Sequence, residues 1–363
     1  KLIQLADKGQ LLKYWDISVS KDGKVSKNIT AKFINGYVPK YSKEDSGEDN
    51  LNRLLFGEKS DKKKEELFDM IKDDLPKTFH HIAKYAINPT GQSGKFTGVE
   101  AIGVLKADID NLGMIFACGI KKERNSLSRL STMSRQVNHF FSIYLPYVLS
   151  TKEEFRNIYT VFAGGDDLFL IGPWNRIVEF TVFLKDRFNE YVCGNSQITL
   201  SAGISVNKPG EPVKHISERA ENALSKAKEN MVNSFDRNSI TMFDESVKWK
   251  LFDELSRIRE IIETWVNKEY ISKTFLYRLN YFSSLSEQEK KILEIEDSVD
   301  MEEYECLKWG AMFKYALIRN IGRNLKGDEK RKALSEVEQA AEWIDRYGNK
   351  MKIPLWQIIY NQR

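Results

Sequence analysis

The chain is poor in the residues that build redox and transition-metal chemistry. Cys118, Cys193 and Cys306 are three cysteines scattered over 363 residues, and His80, His81, His139 and His215 are its four histidines. No CxxC or HExxH spacing occurs among them, so neither a disulfide framework nor a zinc site is supported. The cysteines read as small apolar packing residues. Long hydrophobic runs are also missing. The longest, Ile158 to Ala163 and Leu168 to Trp174, fall far short of the ~20 residues that span a bilayer. No secretory leader pattern follows Lys1, and a cytoplasmic location is expected. A first residue of Lys rather than Met predicts a processed or truncated chain. An excess of charge of one sign is absent too, since 56 Lys+Arg against 52 Asp+Glu leave +4. That balance is too mild to imply nucleic-acid binding from bulk charge. The basic runs at Lys62 to Lys64 and Arg323 to Lys332 read as solvated faces. What is present is 41% hydrophobic and 30% charged residues, enough for a sizeable core in two or three domains.

Residues 1–95 read as a connecting module. A strand pattern over 28–38 precedes a polar loop at 41–50, and helices are expected near 62–70 and 77–85. The cluster Asn88-Pro89-Thr90-Gly91-Gln92-Ser93-Gly94 then breaks the chain. Residues 96–248 alternate short β-rich runs with amphipathic stretches. Strands are expected at 101–109, 158–162, 168–171, 198–206 and 239–243, with helices at 133–149, 174–191 and 213–231. The order β-α-β-β-α-β, extended by α and β, predicts an α+β fold with a ferredoxin-like palm. Residues 249–363 carry helical periodicity throughout and predict an all-α bundle. In it, Trp309, Phe313, Tyr315 and Leu317 are expected in the core.

The chemistry concentrates at Gly164-Gly165-Asp166-Asp167, between two apolar runs. A hairpin turn there exposes two adjacent carboxylates at a sheet rim, and the glycines let a polyphosphate approach the backbone. Turn chemistry alone would also account for the four residues. Asp108 ends the run Gly103 to Ala107, and the first strand is expected beside the strand of residues 158–163. That placement would set three carboxylates at one edge, a hard oxygen set suited to Mg²⁺ or Mn²⁺. Asp110 reads as a cap for the following helix, whose start at Asn111, Leu112 and Gly113 offers backbone donors to phosphate. Lys228, on the expected helix 213–231, is either a solvated lysine or one that reaches phosphate.

Asp108-Ile109-Asp110-Asn111, Gly164-Gly165-Asp166-Asp167 and Ala223-Leu224…Ala227-Lys228 resemble motifs of the palm nucleotide cyclase superfamily, which includes the GGDEF diguanylate cyclases. The strings GVLKADIDNLGMIFACG, IYTVFAGGDDLFLIGPW, ITLSAGI and NGYVP resemble the large subunit of type III-A (Csm) CRISPR effector complexes. That resemblance continues through FLYRLNYF, KWGAMFKYALIRNI and KIPLWQIIY. It implies a subunit of an RNA-guided antiviral complex, with other type III-A subunits, guide RNA and target RNA as partners. Its palm would convert ATP to cyclic oligoadenylate on target-RNA binding. Asp108, Asp166 and Asp167 would hold two divalent metal ions, with the Ile109 carbonyl as a further ligand. Gly164 and Gly165 would flank the triphosphate, Asn111 to Gly113 would donate to it, and Lys228 would neutralise its charge.

The departures are informative. Where GGDEF cyclases carry an Asn-Asp pair, this chain has Phe116 and Ala117, which cannot read guanine. The His-Asp nuclease motif, the first palm and the linker cysteines of the large subunit do not occur here. The chain is therefore expected to be the C-terminal half of a longer protein, with half of a composite two-ATP site. The alternative is a non-catalytic scaffold fragment that binds subunits and guide RNA.

Overall fold

A computed structural model of the chain describes residues 14–15, 29–30, 36–90, 94–231, 236–294, 303–322 and 324–363. The strand expected over 28–38 lies largely outside these residues. Within it, Ile29–Thr30 pairs in parallel with Tyr14–Trp15.

The centre of the fold is a six-stranded mixed sheet. Strand β1 (Ile102–Ile109) has the sequence IGVLKADI. Its apolar side chains alternate between two cores: Ile102 and Val104 join Ile171, Ile216 and Ala220, while Leu105, Ala107 and Ile109 enter the larger cluster. A strand buried on both faces belongs in the middle of a sheet. Strands β2 (Tyr159–Gly164) and β3 (Asp167–Pro173) form a hairpin, and β4 (Leu200–Asn207) flanks β1 on the other side. Strands β5 (Ser239–Met242) and β6 (Glu245–Lys248) complete the order β6-β5-β4-β1-β3-β2. The neighbour of β1 is thus β3, not the strand of residues 158–163 as the sequence led us to expect. In a split β-α-β unit, β1 and β2 are parallel strands with a gap between them, and the hairpin partner β3 fills it. Strand β6 was not foreseen either. The β5–β6 turn is made by Phe243 and Asp244, with φ of 54° and 67°, so it carries no glycine or asparagine signal in the sequence.

Most helices follow the expected pattern with shifted ends, but the segment 41–50 expected as a loop holds a 3₁₀ turn at Lys43–Ser46 and the start of the helix Glu48–Leu55. The stretch expected as one helix over 133–149 is α-helical over Leu127–His139, π-helical over Phe140–Tyr144, and α-helical again over Leu145–Thr151. Helix α7 (Trp174–Tyr191) matches its expected span, here numbered after α1 to α3 (Glu48–Leu55, Asp61–Asp69, Phe79–Lys84), α4 (Leu112–Cys118), α5 (Leu127–His139) and α6 (Leu145–Thr151). Helix α8 (Val213–Glu229) crosses β4 at Gly203, where a Cβ would strike the backbone of Ala223 and Leu224. Ala220, Ala223 and Ala227 keep that face of α8 shallow, so helix and sheet approach closely.

After Lys248 the described residues are helical. Helix α9 (Trp249–Asn267) is followed by α10 (Lys273–Leu293), in keeping with the helical periodicity expected there. One continuous core joins these helices to the sheet, running from Leu105 and Trp174 through Trp249 and Leu255 to Phe282 and Ile358. Trp309, Phe313 and Leu317 are buried as expected, but Tyr315 is 60% exposed, with Arg319 over its ring. Cys306 is buried, whereas Cys118 and Cys193 are exposed and do not pack a core.

Residues 36–90 dock on the β2 side. The Thr160 amide donates to the Tyr37 carbonyl at 2.8 Å. Below it, the buried Lys77 ammonium meets Asp45 at 2.6 Å and the Asn157 side chain at 3.0 Å. Tyr85 also donates to Asp45.

Candidate active site

The rim is built where β1 and β3 end together. Register places Asp108 directly opposite Asp167, and directly opposed residues of an antiparallel pair point to the same face. Between β2 and β3 the chain turns in two residues, Gly165 and Asp166. Gly165 has φ +68°, a conformation that glycine adopts without strain. The Asp166 carbonyl accepts from the Ile109 amide at 3.2 Å, which ties the turn to the end of β1. Two of the three expected carboxylates thus face one another across adjacent strands, and the third sits in the turn beside them. The agent is β3 rather than β2.

Helix α8 brings charge to this face. Glu221 pairs with Lys106 on β1 at 2.7 Å, and seven residues later Lys228 pairs with Asp108. The close seat on Gly203 makes both contacts reachable. Lys228 is therefore not a solvated lysine: its side chain is 28% exposed and that of Asp108 18%. Burial pushes the Asp108 carboxyl above the usual carboxylate range. Lys228 opposes that rise, and the charges of Asp166 and Asp167 add to it. Asp167 is raised as well, by partial burial first and then by Glu221 and Asp166, against the pull of Lys106. Concentrated, partly desolvated negative charge of this kind is relieved by a cation.

The remaining expected residues distribute as follows. Gly164 ends β2 opposite Asp167. Asn111 precedes α4 with φ 55°. Leu112 packs against the main core, whereas Gly113 faces open space. Asp110 does not cap α4. It is 1% exposed and its carboxylate accepts from the Thr199 hydroxyl at 2.7 Å and the Asn238 amide at 3.0 Å, lashing the end of β1 to the loops before β4 and β5. Sequence reasoning missed Asn138 on α5, whose side-chain carbonyl accepts from the Gly165 amide at 3.0 Å. Nothing in the motif points to a residue 27 positions upstream.

A metal ion fits this donor set in chemistry: the hard carboxylates Asp108, Asp166 and Asp167 stand at one end of β1 and β3, and a Cβ at Gly165 would meet nothing within 4 Å. Among the described residues, however, no three His, Cys, Asp or Glu side chains stand ready-arranged around one ion. The Asp108 carboxylate is turned to Lys228 instead. The rim lies at the ends of the interior strands β1 and β3. A cleft of about 520 Å³ lies elsewhere, lined by Arg219, Lys226, Phe243 and Tyr360.

Residues 101–241 match the family described as Cas10/Cmr2, second palm domain. The Cas10/Cmr2-like palm thus encloses every element of the rim. A relative from Methanocaldococcus jannaschii, described as the CRISPR system single-strand-specific deoxyribonuclease Cas10/Csm1 (subtype III-A), is 33% identical over 196 residues, covering 48% of this chain and 24% of its own length. The match therefore spans about a quarter of that relative. Three solved structures share the fold. An apo Csm1–Csm4 cassette aligns with TM-score 0.58 at 19% identity over 93% of this chain and 41% of its own. A Csm1–Csm4 cassette in complex with cA4 gives 0.54 at 19% over the same shares. One in complex with one ATP gives 0.52 at 20% over 80% and 39%. The resemblance to type III-A large subunits holds, and so does the palm followed by helices.

Proposed function

We propose that this chain is the second-palm and helical portion of a type III-A CRISPR large subunit, and that its palm joins ATP molecules into cyclic oligoadenylate when the assembled complex binds target RNA. The observation that carries the reading is the cross-strand placement of Asp108 and Asp167 beside the Gly165-Asp166 turn, with Lys228 above them. The nucleotides named for solved structures of this fold, ATP and cA4, agree with it.

Asp108, Asp166 and Asp167 would hold Mg²⁺ or Mn²⁺, with the Ile109 carbonyl as a further ligand. The bound ions supply charge neutralisation for attack of a ribose hydroxyl on an α-phosphate. The protein's own part is placement. Gly165 leaves the triphosphate room against the backbone, whereas Gly164 is covered by the Asn138 side chain, which fixes the turn that presents Asp166. Lys228 offers its ammonium to phosphate oxygens, and Asn111 to Gly113 add backbone donors. Phe116 and Ala117 present no group that reads guanine. Guide RNA and the other subunits would contact the chain outside the rim, and a second palm would complete the two-nucleotide site.

The test is synthesis by the assembled effector complex given target RNA, ATP and Mg²⁺. Replacing Asp166→Ala with Asp167→Ala lowers cyclic oligoadenylate formation about a thousandfold, through several kcal/mol of lost charge stabilisation. Unchanged synthesis by that double variant removes the proposed site.

A further inference from the structure

Lys228 occupies Asp108 from the last turn of α8, and each cation flanking it has its own carboxylate: Lys106 is paired with Glu221 at 2.7 Å, and Lys226 with Asp244 at 2.9 Å. We propose that Lys228 holds the cation's place on Asp108 in the nucleotide-free protein, so that divalent metal and nucleotide polyphosphate bind the rim as a coupled pair. This rests on the reading of the rim as a metal–nucleotide site.

The coupling is electrostatic. A divalent ion arriving alone meets an ammonium already bonded to the carboxylate it needs, and the two cations repel at short range. The ion must displace Lys228, whose head then leaves a charged partner on a partly buried face. A polyphosphate reverses both penalties. It supplies new oxygens for the lysine, whose flexible four-carbon stem lets it swing, and it frees Asp108 for the ion. Linkage makes the effect reciprocal: whatever nucleotide does for metal affinity, metal does for nucleotide affinity.

Mn²⁺ titrations of the 363-residue chain, read as free Mn²⁺ by electron paramagnetic resonance, test this without any turnover. Lys228→Met binds Mn²⁺ alone about tenfold more tightly than the parent, because a competing charge is gone. Lys228→Arg, which keeps the charge, binds as the parent does. The preformed Mn²⁺ complex of a non-hydrolysable ATP analogue binds Lys228→Met about tenfold more weakly, because a phosphate partner is gone. A lysine that merely supports the fold would not move the two affinities in opposite directions. Lys228→Gln serves as a second neutral variant should Lys228→Met lose its native circular dichroism. Equal or weaker binding of bare Mn²⁺ by the neutral variants overturns the inference, while sensitivity of parental binding to Asp108→Asn leaves the site reading standing. Mn²⁺ binding that is absent from the parent and the neutral variants alike, with and without the nucleotide analogue, or indifferent to both Asp108→Asn and Asp167→Asn, overturns the site reading and the inference with it.

Discussion

At the residue scale the rim carries charge at a cost to stability. The Asp167 carboxyl is raised from 3.8 by partial burial and by its acidic neighbours. A carboxylate with a folded-state pKa above its unfolded value opposes folding fully at pH above the folded value. The opposition fades as pH falls through the raised folded value and is gone only below 3.8, where both states are protonated. Asp167→Asn is therefore expected to raise the melting temperature at neutral pH, with the gain shrinking as the solution is acidified through the raised folded value and vanishing below 3.8. Thermal unfolding followed by circular dichroism across pH checks both the sign and the window. The acidic residues themselves stood out in the sequence between two apolar runs, although turn chemistry alone would also account for the Gly-Gly-Asp-Asp string. Their partners were not. Asn138 reaches the turn from another element, and the Asp110 bonds to Thr199 and Asn238 span 89 and 128 residues. Such contacts have no local periodicity to reveal them.

At the scale of elements, the seat of α8 on β4 decides whether Lys228 meets Asp108. Gly203 is the point of contact, and its Cβ would strike helix backbone rather than a yielding side chain. Gly203→Val is expected to destabilise the palm by about 3 kcal/mol through overpacking. It also lifts α8 and parts the Lys228–Asp108 and Glu221–Lys106 pairs. Chemical denaturation measures the first effect, and the ¹⁵N chemical shift of the Lys228 ammonium reports the second. Hydrophobic period found most strands and helices because each buries a regular stripe. It failed where the regularity is interrupted: at the π-helical turn Phe140–Tyr144, and at the glycine-free turn Phe243–Asp244. The order of β1, β3 and β2 is a property of topology, and it changed which strand delivers the second carboxylate.

At the scale of the whole molecule, the palm is held from both sides. The continuous core ties α9, α10 and the C-terminal helix Lys352–Gln362 to the sheet, with Tyr360 packed edge-on against Trp174. On the other side the buried Lys77–Asp45 pair and its bond to Asn157 fasten residues 36–90 just before β2. Burial alone would raise Asp45, but hydrogen bonds from Lys77, Tyr85 and the Ser42 amide outweigh it and hold the carboxyl below its usual value. Both attachments bear on the strands that end at the rim. The most direct test is a crystal structure of the 363-residue chain grown with Mn²⁺ and a non-hydrolysable ATP analogue, with anomalous scattering recorded for manganese. The account predicts an anomalous peak bound by Asp108 and Asp167, with Lys228 turned from Asp108 onto the phosphates. Nucleotide and manganese bound elsewhere, with the Lys228–Asp108 pair intact, would contradict it.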